Sequence, residues 1–261
     1  MLQMRAENEM KKVLTAADAP TAMRLLLHDA ATYDVTTKSG GVNGSIVTSE
    51  ELNRPVNKDL KTFVNKLAKV RESIKASGPE SQKMLSWADT VVLAAKVTTE
   101  QAWRQAKASK SEKSLELAEK FGNPFDIKIG RVDSDSPDGE SSIPPAGSSP
   151  AEVQKFMSSL NVKNPSELGG PLSKKAPFWE RPTFLLWTAA QTNPAASEEQ
   201  FGAEPEYSDW KKKYDQSRST TFRQDYEIDF VGFFNKLADL GAKFDKNAYL
   251  YDIIIQVPDR L

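Results

Sequence analysis

Apolar residues in the first half of the chain recur at the three- and four-residue spacing of amphipathic helices. The clearest stripe, with lysines between its members, comprises Leu60, Phe63, Val64, Leu67, Val70 and Ile74. Such a stripe faces a protein core while the polar residues face water. The stretch from Ser77 to Pro79 ends this helix, because glycine and proline interrupt helical backbone. A charged, helix-favouring stretch from Arg5 to Leu14 predicts another helix.

Two more helices are predicted from their start signals. Pro20 stands in the first turn of one, where a proline is tolerated. The apolar face of that helix comprises Met23, Leu26 and Leu27. Ser86 is the predicted N-cap of the next helix, and Asp89 three positions later completes a capping box. Between the two, Thr36 to Ile46 is glycine-rich and predicts a loop.

The character of the chain changes between Phe121 and Pro150, where Gly, Pro, Ser and Asp become frequent. Ile127 and Ile129 alternate across a lysine and suggest a short strand. Residues 133–149 are predicted to form a long irregular connection, which divides the chain into two lobes.

The second half of the chain is less periodic. One helix is predicted from the spacing of Val153, Phe156, Met157 and Leu160. Another runs from about Asp225 to Leu240, with Gly241 as its stop. The stretch from Gly169 to Gln200 is rich in proline and glycine, and we predict that it is irregular.

The bulk composition excludes several classes of protein. Hydrophobic residues make up 39% and charged residues 27% of the chain, which is typical of a globular protein. No apolar run approaches the roughly 18 residues of a membrane span, so no transmembrane segment is predicted. The 35 Lys and Arg residues nearly cancel the 36 Asp and Glu residues, which argues against a nucleic-acid-binding protein.

Lysines are nevertheless concentrated in two segments. The first segment contains Lys58, Lys61, Lys66 and Lys69, with Arg71 and Lys75 beyond them. The second is the run Lys211, Lys212 and Lys213. Charge runs are commonly solvated helix faces. The alternative is that they form basic patches that dock on an anionic partner or membrane surface.

The chain contains no cysteine, which excludes disulfides, thiolate catalysis and iron–sulfur clusters. The first residues, Met1 to Arg5, form neither an apolar signal core nor an Arg- and Ser-rich transit stretch. We therefore expect a mature form, from which any targeting peptide has been removed.

His28 is the only histidine of the chain. Arg24 lies four residues earlier, so both side chains project from the same face of a helix. A histidine beside an arginine is able to move a proton and stabilise a developing negative charge. A lone histidine on a helix is more commonly a hydrogen-bonded structural residue, so the neighbourhood of His28 decides between these interpretations.

That neighbourhood resembles a known family. Met23 to Asp34 (MRLLLHDAATYD) and Thr37 to Ile46 are similar to the distal helix and the following loop of ascorbate peroxidases, the intracellular class of plant-type haem peroxidases. Further matches follow in the family's order: Glu51 to Leu52, Asn57 to Leu60, Ser86 to Asp89, Gly130 to Arg131, and Asp133. The similarity extends from about Leu14 to Asp133 and returns weakly from about Trp210 to Phe244.

The resemblance implies a mainly α, two-lobed helical haem-peroxidase fold over residues 1–261 as a single domain. Its distal-type lobe would be residues 1–132, and its eroded proximal-type lobe residues 150–261. In the family, the arginine and histidine matched by Arg24 and His28 cleave bound peroxide, and the asparagine matched by Asn57 orients the histidine. The aromatic residue that normally precedes the histidine is replaced here by Leu27.

The family's iron ligand has no counterpart in this sequence. Peroxidases bind the haem iron through a proximal histidine, whereas no histidine follows His28. Where the proximal motif is expected, Ser166 to Leu172 reads SELGGPL, and Pro171 and Pro177 would interrupt the usual helix. The family's ascorbate-binding arginine is also unmatched. Three tyrosines fall in no recognisable proximal motif: Tyr207, Tyr214 and Tyr226. We therefore predict no catalytic, cofactor-binding or metal site that functions, and no cofactor.

Three functional hypotheses follow. The resemblance extends to ascorbate-peroxidase-like proteins of the thylakoid lumen, and it implies a non-catalytic, haem-free protein of the chloroplast thylakoid lumen. Such a protein would associate with photosystem II or the membrane surface through the two lysine segments. The alternative is a working L-ascorbate peroxidase that removes hydrogen peroxide with haem b on a non-histidine ligand, favoured by the survival of Arg24, His28 and Asn57. In the third hypothesis, the old cavity binds another small molecule, with Arg24 receiving an anionic ligand.

Overall fold

The computed structural model describes residues 2–109, 113, 116, 125–141, 143–145, 147–160, 186–218 and 225–249. Within these ranges the structure is built from helices: α1 (Leu2–Val13), α2 (Ala19–Ala30), α3 (Ser49–Leu52), α4 (Lys61–Ala76), α5 (Trp87–Ala108), α6 (Pro150–Ser159), α7 (Pro194–Gly202), α8 (Pro205–Arg218) and α9 (Asp225–Asp239). Three short 3-10 helices join them: Ala16–Asp18, Ser45–Val47 and Pro55–Leu60. The predicted helices at α1, α2, α4, α5, α6 and α9 are therefore confirmed.

The centre of the core is the packing of α2 on α5, with α1 and α4 against α5. The run from Val91 to Ala95 is fully buried, as expected for a helix with apolar residues on all sides. On α2, Leu25, Leu26 and Leu27 are also buried. This packing fixes the orientation of α2, and therefore the direction of the Arg24 and His28 side chains.

The glycine-rich loop after α2 packs against the carboxyl end of α9. Val42 N donates to Leu240 O at 2.8 Å. An ideal Cβ at Gly41 would lie only 2.4 Å from Leu240 O, so this close approach requires glycine. Gly241, with φ of 69°, ends α9 on the other side of the same contact.

The amino end of α5 is capped by a residue distant in sequence. The Asp133 carboxylate accepts hydrogen bonds from Trp87 N at 2.8 Å and Ala88 N at 2.9 Å. Ser86 Oγ accepts from Asp89 N at 3.1 Å, so one half of the predicted capping box is present. The other half is wrong, because the Asp89 carboxylate instead accepts from Gly130 N at 2.6 Å.

A buried arginine joins the middle of the chain to α5 and α9. Arg131 forms an ion pair with Asp89 at 2.9 Å, and both side chains are fully buried. Its other nitrogens bond to Ala238 O at 2.9 Å and to Asp239 at 2.6 Å. Two carboxylates and a backbone carbonyl therefore compensate the charge of the buried guanidinium.

Two local predictions are corrected by the structure. The suggested strand at Ile127 and Ile129 is wrong: among the described residues the only β-type pairings are isolated bridges, such as that of Arg131 with Phe244. The prediction of irregular structure up to Gln200 is wrong where residues 186–189 form a helical turn and where α7 begins. Pro194 occupies the first turn of α7, with Asn193 as N-cap, so this proline starts a helix rather than breaking one.

Helix α8 was not predicted, because its sequence lacks a regular apolar stripe. Within residues 133–149, the described positions carry no helix or strand. The division into lobes at residues 1–132 and 150–261 stays a prediction, and Ser166 to Trp179 lie outside the described residues. None of the helices described is both long enough and apolar enough to cross a membrane.

Candidate functional site

A cavity of about 240 Å³ lies beside the inner face of α2. Its wall on the α2 side comprises Arg24, Leu27 and His28. The rest of the lining comes from distant segments: Val56, Ile143, Pro144, Pro145, Trp187, Ala190, Gln191 and Thr192. His28 is only 6% exposed, because α2 is packed on α5. The structure therefore brings Arg24, Leu27 and His28 together at one cavity.

Asn57 holds the His28 ring in one orientation. The Nδ1 atom of His28 lies 2.6 Å from Asn57 Oδ1. Asn57 Nδ2 donates to Glu51 O at 2.9 Å, which fixes Oδ1 as the acceptor toward the ring. The proton of a neutral His28 is therefore on Nδ1, and Nε2 keeps its lone pair. This is the pairing that the resemblance implied for Asn57.

The surroundings of His28 keep it uncharged. Burial, with a smaller effect of the nearby Arg24 charge, lowers the pKa of His28 from 6.5 to about 4. The Asn57 hydrogen bond acts in the opposite direction but is the smaller effect. At neutral pH, His28 is thus a fixed hydrogen-bond acceptor at Nε2.

Arg24 is engaged by two residues that sequence reasoning missed. Its Nη2 atom forms an ion pair with Asp59, and Nη1 donates to Thr192 Oγ1 at 3.1 Å. Arg24 Nε is buried and has no hydrogen-bond partner in the described part of the chain. Asp59 balances the guanidinium charge, and Thr192 ties α2 to the segment that precedes α7.

Trp187 is part of the cavity lining. It is 1% exposed, and its ring contacts Phe156 of α6 edge-on, with 6.4 Å between ring centroids. Its indole nitrogen is buried without a hydrogen-bond partner among the described residues. Sequence reasoning noted only an apolar patch from Phe184 to Leu186, and no motif marked Trp187 as part of a site.

Buried carboxylates lie directly behind His28. Asp29 accepts from Gly44 N at 3.0 Å and Ile46 N at 3.3 Å, and burial raises its pKa to about 8. Glu51 accepts from Asp138 N at 2.7 Å. Asp138 Oδ2 in turn accepts from three side chains: Thr32, Asn43 and Ser45. This network fixes the loop after α2 and the Glu51 carbonyl that orients Asn57.

The described lining residues do not fit a peroxidase haem. His28 is the only one of them with a side chain of the kinds that commonly ligate haem iron, namely His, Cys, Met and Tyr. Tyr207 is buried against Phe201, and Tyr214 bonds to Glu198 at 3.3 Å, so neither lies at the cavity. The cavity volume is also below the roughly 300–1,000 Å³ of ordinary small-molecule sites. Among the described residues, no group of His, Asp and Glu is arranged to hold a metal ion.

In the first lysine segment, the structure separates exposed lysines from one that is paired within the chain. Lys58, Lys61 and Lys69 are exposed, and none forms an ion pair within the described residues. Lys66 instead bonds to both carboxylate oxygens of Asp18 at 2.9 Å. We call Lys58, Lys61 and Lys69 the α4 lysine surface.

In the second lysine segment, one lysine forms ion pairs within the chain. Lys211 forms ion pairs with Glu199 at 2.9 Å and Asp215 at 2.5 Å. Lys212 is exposed, and the Lys213 side chain lies outside the described residues. The charges of Lys66 and Lys211 are therefore balanced within the chain, and the role of the two lysine segments as contact surfaces stays a prediction.

Comparison with known proteins identifies the family. The peroxidase family matches residues 4–167, which is more than half of the chain. The chain belongs to the peroxidase family. The "Thylakoid lumenal 29 kDa protein, chloroplastic" of Solanum lycopersicum is 31% identical over 267 residues, covering 95% of this chain and 72% of that protein. "Putative L-ascorbate peroxidase 6" of Arabidopsis thaliana is 26% identical over 257 residues, covering 92% and 69%.

A solved structure supports the same assignment. The crystal structure of the TL29 protein from Arabidopsis thaliana superposes with a TM-score of 0.75 at 27% identity, covering 95% of each chain. The predicted mainly helical peroxidase fold and the ascorbate-peroxidase-like resemblance are therefore confirmed. The thylakoid lumenal relatives from two plants also confirm the predicted location in the chloroplast thylakoid lumen.

Proposed function

We propose that this peroxidase-family protein is a non-catalytic, haem-free ascorbate-peroxidase homologue that acts by peripheral association with photosystem II or the lumenal thylakoid surface. The observation that carries the haem-free part is the lining of the cavity. Apart from His28, none of its described side chains, Trp187, Ala190 and Thr192 included, is an iron ligand of haem proteins. A peroxidase needs a second group, besides the distal histidine, to hold the iron.

The state of Arg24 supports the loss of catalysis. In the family chemistry the arginine stabilises negative charge that develops on a peroxide oxygen. Here Asp59 and Thr192 already occupy both terminal nitrogens of Arg24. A guanidinium whose charge is balanced by a carboxylate stabilises a new anion less effectively, because the field at the cavity is weaker.

The association part rests on the α4 lysine surface and on the thylakoid relatives. The chain is close to neutral overall, so any attraction to an anionic surface must come from local charge. Lys58 and Lys61, at the start of α4, and Lys69, in its middle, supply this charge, unbalanced by ion pairs in the described residues. We propose this surface as the contact.

The haem-free part is tested with hemin. Purified protein is mixed with excess hemin, desalted, and examined for Soret absorption and for ascorbate-dependent peroxide consumption. We expect neither a Soret band nor turnover. A sharp Soret band, with turnover that disappears in the His28→Ala variant, would show that the protein is an enzyme.

The association part is tested with thylakoid membranes. We expect the protein to bind washed thylakoids at low salt and to be released near 1 M salt, where the Debye length is about 3 Å. Changing the α4 lysine surface to glutamate should abolish binding. A matched variant with the same charge change elsewhere, at the exposed Lys128, Lys243 and Lys246, should bind almost normally. Binding that persists at high salt would contradict an electrostatic contact.

One observation favours the alternative, a functional L-ascorbate peroxidase. His28, Asn57 and Glu51 O form an intact chain of hydrogen bonds that leaves His28 Nε2 as a base. This is the arrangement needed to take a proton from peroxide. The hemin assay decides between the two functions, because only the enzyme gives His28-dependent turnover.

A further inference from the structure

Residues 133–141, which we call the strap, are tied to the end of α2, the loop after it and α3 through Asp138. The Oδ2 atom of Asp138 accepts hydrogen bonds from three side chains at 2.9–3.1 Å: Thr32, Asn43 and Ser45. Asp138 N donates to Glu51 Oε1 at 2.7 Å. Four of the hydrogen bonds that hold the strap therefore meet at one residue.

Arg54, which follows α3, supplies positive charge to this contact. Its Nη1 atom donates to Gly139 O at 2.9 Å, and Nη2 donates to Asp138 O. Nη1 also forms an ion pair with Glu51 Oε2 at 3.5 Å. Glu51 Oε2 is buried and accepts no hydrogen bond in the described part of the chain. Because Arg54 is shared with the strap, it compensates the Glu51 carboxylate only in part.

Three carboxyl groups meet at this contact. Asp29 and Glu51 are fully buried, and Asp138 is half-buried. Burial, with smaller effects of Glu51 and Asp138, raises the pKa of Asp29 to about 8. Burial also raises the pKa of Glu51. Below pH 8, Asp29 is therefore mostly protonated, and one of the three groups carries no charge.

Charged groups on the neighbouring elements have partners of their own. On α2, Arg24 is paired with Asp59. On α5, Asp89 is paired with Arg131 at 2.9 Å. Asp133, at the start of the strap, accepts from the first backbone N–H groups of α5. The protonation state of Asp29 is therefore decided by its burial and by the carboxylates of the strap contact.

The strap leads into the wall of the cavity beside His28. Three residues that follow the strap in the chain line this cavity: Ile143, Pro144 and Pro145. The start of the strap is held separately, since Asp133 caps α5. Release of the Asp138 contacts would therefore displace the cavity end of the strap while its start stays on α5.

We propose that the strap is a proton-dependent lid on the cavity, closed while Asp29 is protonated and opened when Asp29 ionises beside Glu51 and Asp138. Ionisation places a further negative charge among these groups, and like charges at short range repel. Asp29 and Glu51 belong to helices, whereas Asp138 belongs to a segment without helix or strand. The strap is therefore the part that moves.

The direction of the pH dependence follows from proton linkage. Asp29 binds its proton more tightly in the closed state, where its pKa is about 8, than in an open state that admits water. The ratio of open to closed protein therefore rises with pH, by at most about tenfold per pH unit, and levels off above pH 8. His28, with a pKa of about 4, stays neutral over this range.

Spin-label distances test the lid. The chain has no cysteine, so two introduced cysteines carry the only labels. The strap pair is Ser136→Cys with Asn65→Cys on α4, both at exposed positions. We expect pulsed electron paramagnetic resonance to show a longer distance that gains population from pH 6.5 to 8. A second pair, Pro145→Cys with Asn65→Cys, reports whether the cavity lining moves with the strap.

Variants assign the movement to the buried carboxyl group. Asp29→Asn keeps an acceptor for Gly44 N and Ile46 N but cannot ionise, so the strap should stay closed at pH 8. Glu51→Gln keeps an acceptor for Asp138 N and removes one facing charge, so the open population at pH 8 should be smaller. Asp34→Asn, at an exposed aspartate, is the matched control and should open normally. Circular dichroism at each pH verifies folding.

The outcomes either support or overturn the lid. A longer distance that grows with pH in the unchanged and Asp34→Asn backgrounds, and is lost in Asp29→Asn, supports it. Distances that do not change with pH, or change equally in Asp29→Asn, overturn it. A strap that moves while the Pro145 label does not also overturns it. The same change in a reference pair across α1 and α4, Lys12→Cys with Asn65→Cys, would mean general loosening instead. If Asp29→Asn does not fold, Glu51→Gln decides.

Discussion

At the scale of single residues, His28 shows how a fold sets the chemistry of a side chain. Burial favours the neutral ring, and the Asn57 contact decides which nitrogen carries the proton. Nε2 is left as an acceptor toward the cavity. Arg24 one turn away is held by Asp59 and Thr192, so the pair no longer presents a free cation beside a free base.

Replacing Asn57 by alanine tests this arrangement. The change leaves the buried Nδ1–H of His28 without its acceptor and frees the Glu51 carbonyl. We expect the free energy of unfolding to fall by about 1–3 kcal/mol. The pKa of His28 should also fall below its present value of about 4, because the Asn57 bond raises it.

Urea denaturation measures the first effect, and NMR titration of the single histidine measures the second. Asn53→Ala, a change at an exposed asparagine, is the matched control and should leave both quantities unaltered. An unchanged His28 pKa in Asn57→Ala would mean that the ring is oriented by another group.

At the scale of elements, helix ends are fixed by partners from other parts of the chain. The end of α9 and the loop after α2 meet at Gly41 and Gly241. Both have positive φ, and each would place a Cβ against backbone atoms. Glycine is therefore required here for conformation and for space.

Gly241→Ala should destabilise the protein by about 1–3 kcal/mol, the typical cost of strained backbone. The new Cβ would lie 2.5 Å from Gly40 O, in addition to the unfavourable φ of 69°. Gly139→Ala is the matched control, since nothing lies within 4 Å of an added Cβ there. Thermal and urea unfolding compare the two, and equal stability of both variants would refute the close contact.

The cap of α5 gives a second prediction at this scale. Asp133→Ala removes the acceptor of both Trp87 N and Ala88 N. We expect a loss of about 0.5–2 kcal/mol, the usual range for a lost helix cap. Asp135→Ala, at an exposed aspartate two residues away, should change the free energy of unfolding by less. A loss of the same size in both variants would contradict the capping role.

At the scale of the whole molecule, two buried groups make the free energy of unfolding depend on pH in opposite directions. His28 has a folded pKa of about 4, below its reference value of 6.5, so its contribution is lost as pH falls from about 6.5 to 4. Asp29 has a folded pKa of about 8, above its reference value of 3.8, so its contribution is lost as pH rises from about 4 to 8. Between pH 6.5 and 8, only Asp29, of these two groups, still changes the free energy of unfolding with pH.

We therefore expect the free energy of unfolding to decrease between pH 6.5 and 8. One titrating proton gives a slope of at most about 1.4 kcal/mol per pH unit. Asp29→Asn cannot ionise and should flatten this decrease, as measured by urea denaturation at several pH values. Asp34→Asn, at an exposed aspartate, should retain it. A pH dependence that is unaltered in Asp29→Asn would exclude Asp29 as its source.

Much of the fold was predictable because the deciding interactions are local. The 3-4 spacing of apolar residues in α4 and α2 follows from helix geometry, and it located both helices to within a few residues. Helix α8 was missed for the converse reason: apart from three aromatic residues its sequence is almost entirely polar, and its packing through Tyr207 and Tyr214 depends on the tertiary structure. The suggested strand failed because Gln3, from α1, bonds to Ile127 O instead of a partner strand.

The sequence by itself determined what composition and short spacing control. Arg24 and His28 share a helix face because they are four residues apart, and no second histidine exists to ligate iron. Only the tertiary structure decided the rest: Arg24 bonds to Thr192, 168 positions away, and Trp187 lines the same cavity as His28. The tertiary structure also showed that ion pairs balance the charges of Lys66 and Lys211. Such contacts join distant segments whose approach depends on the packing of the whole core, which no local pattern encodes.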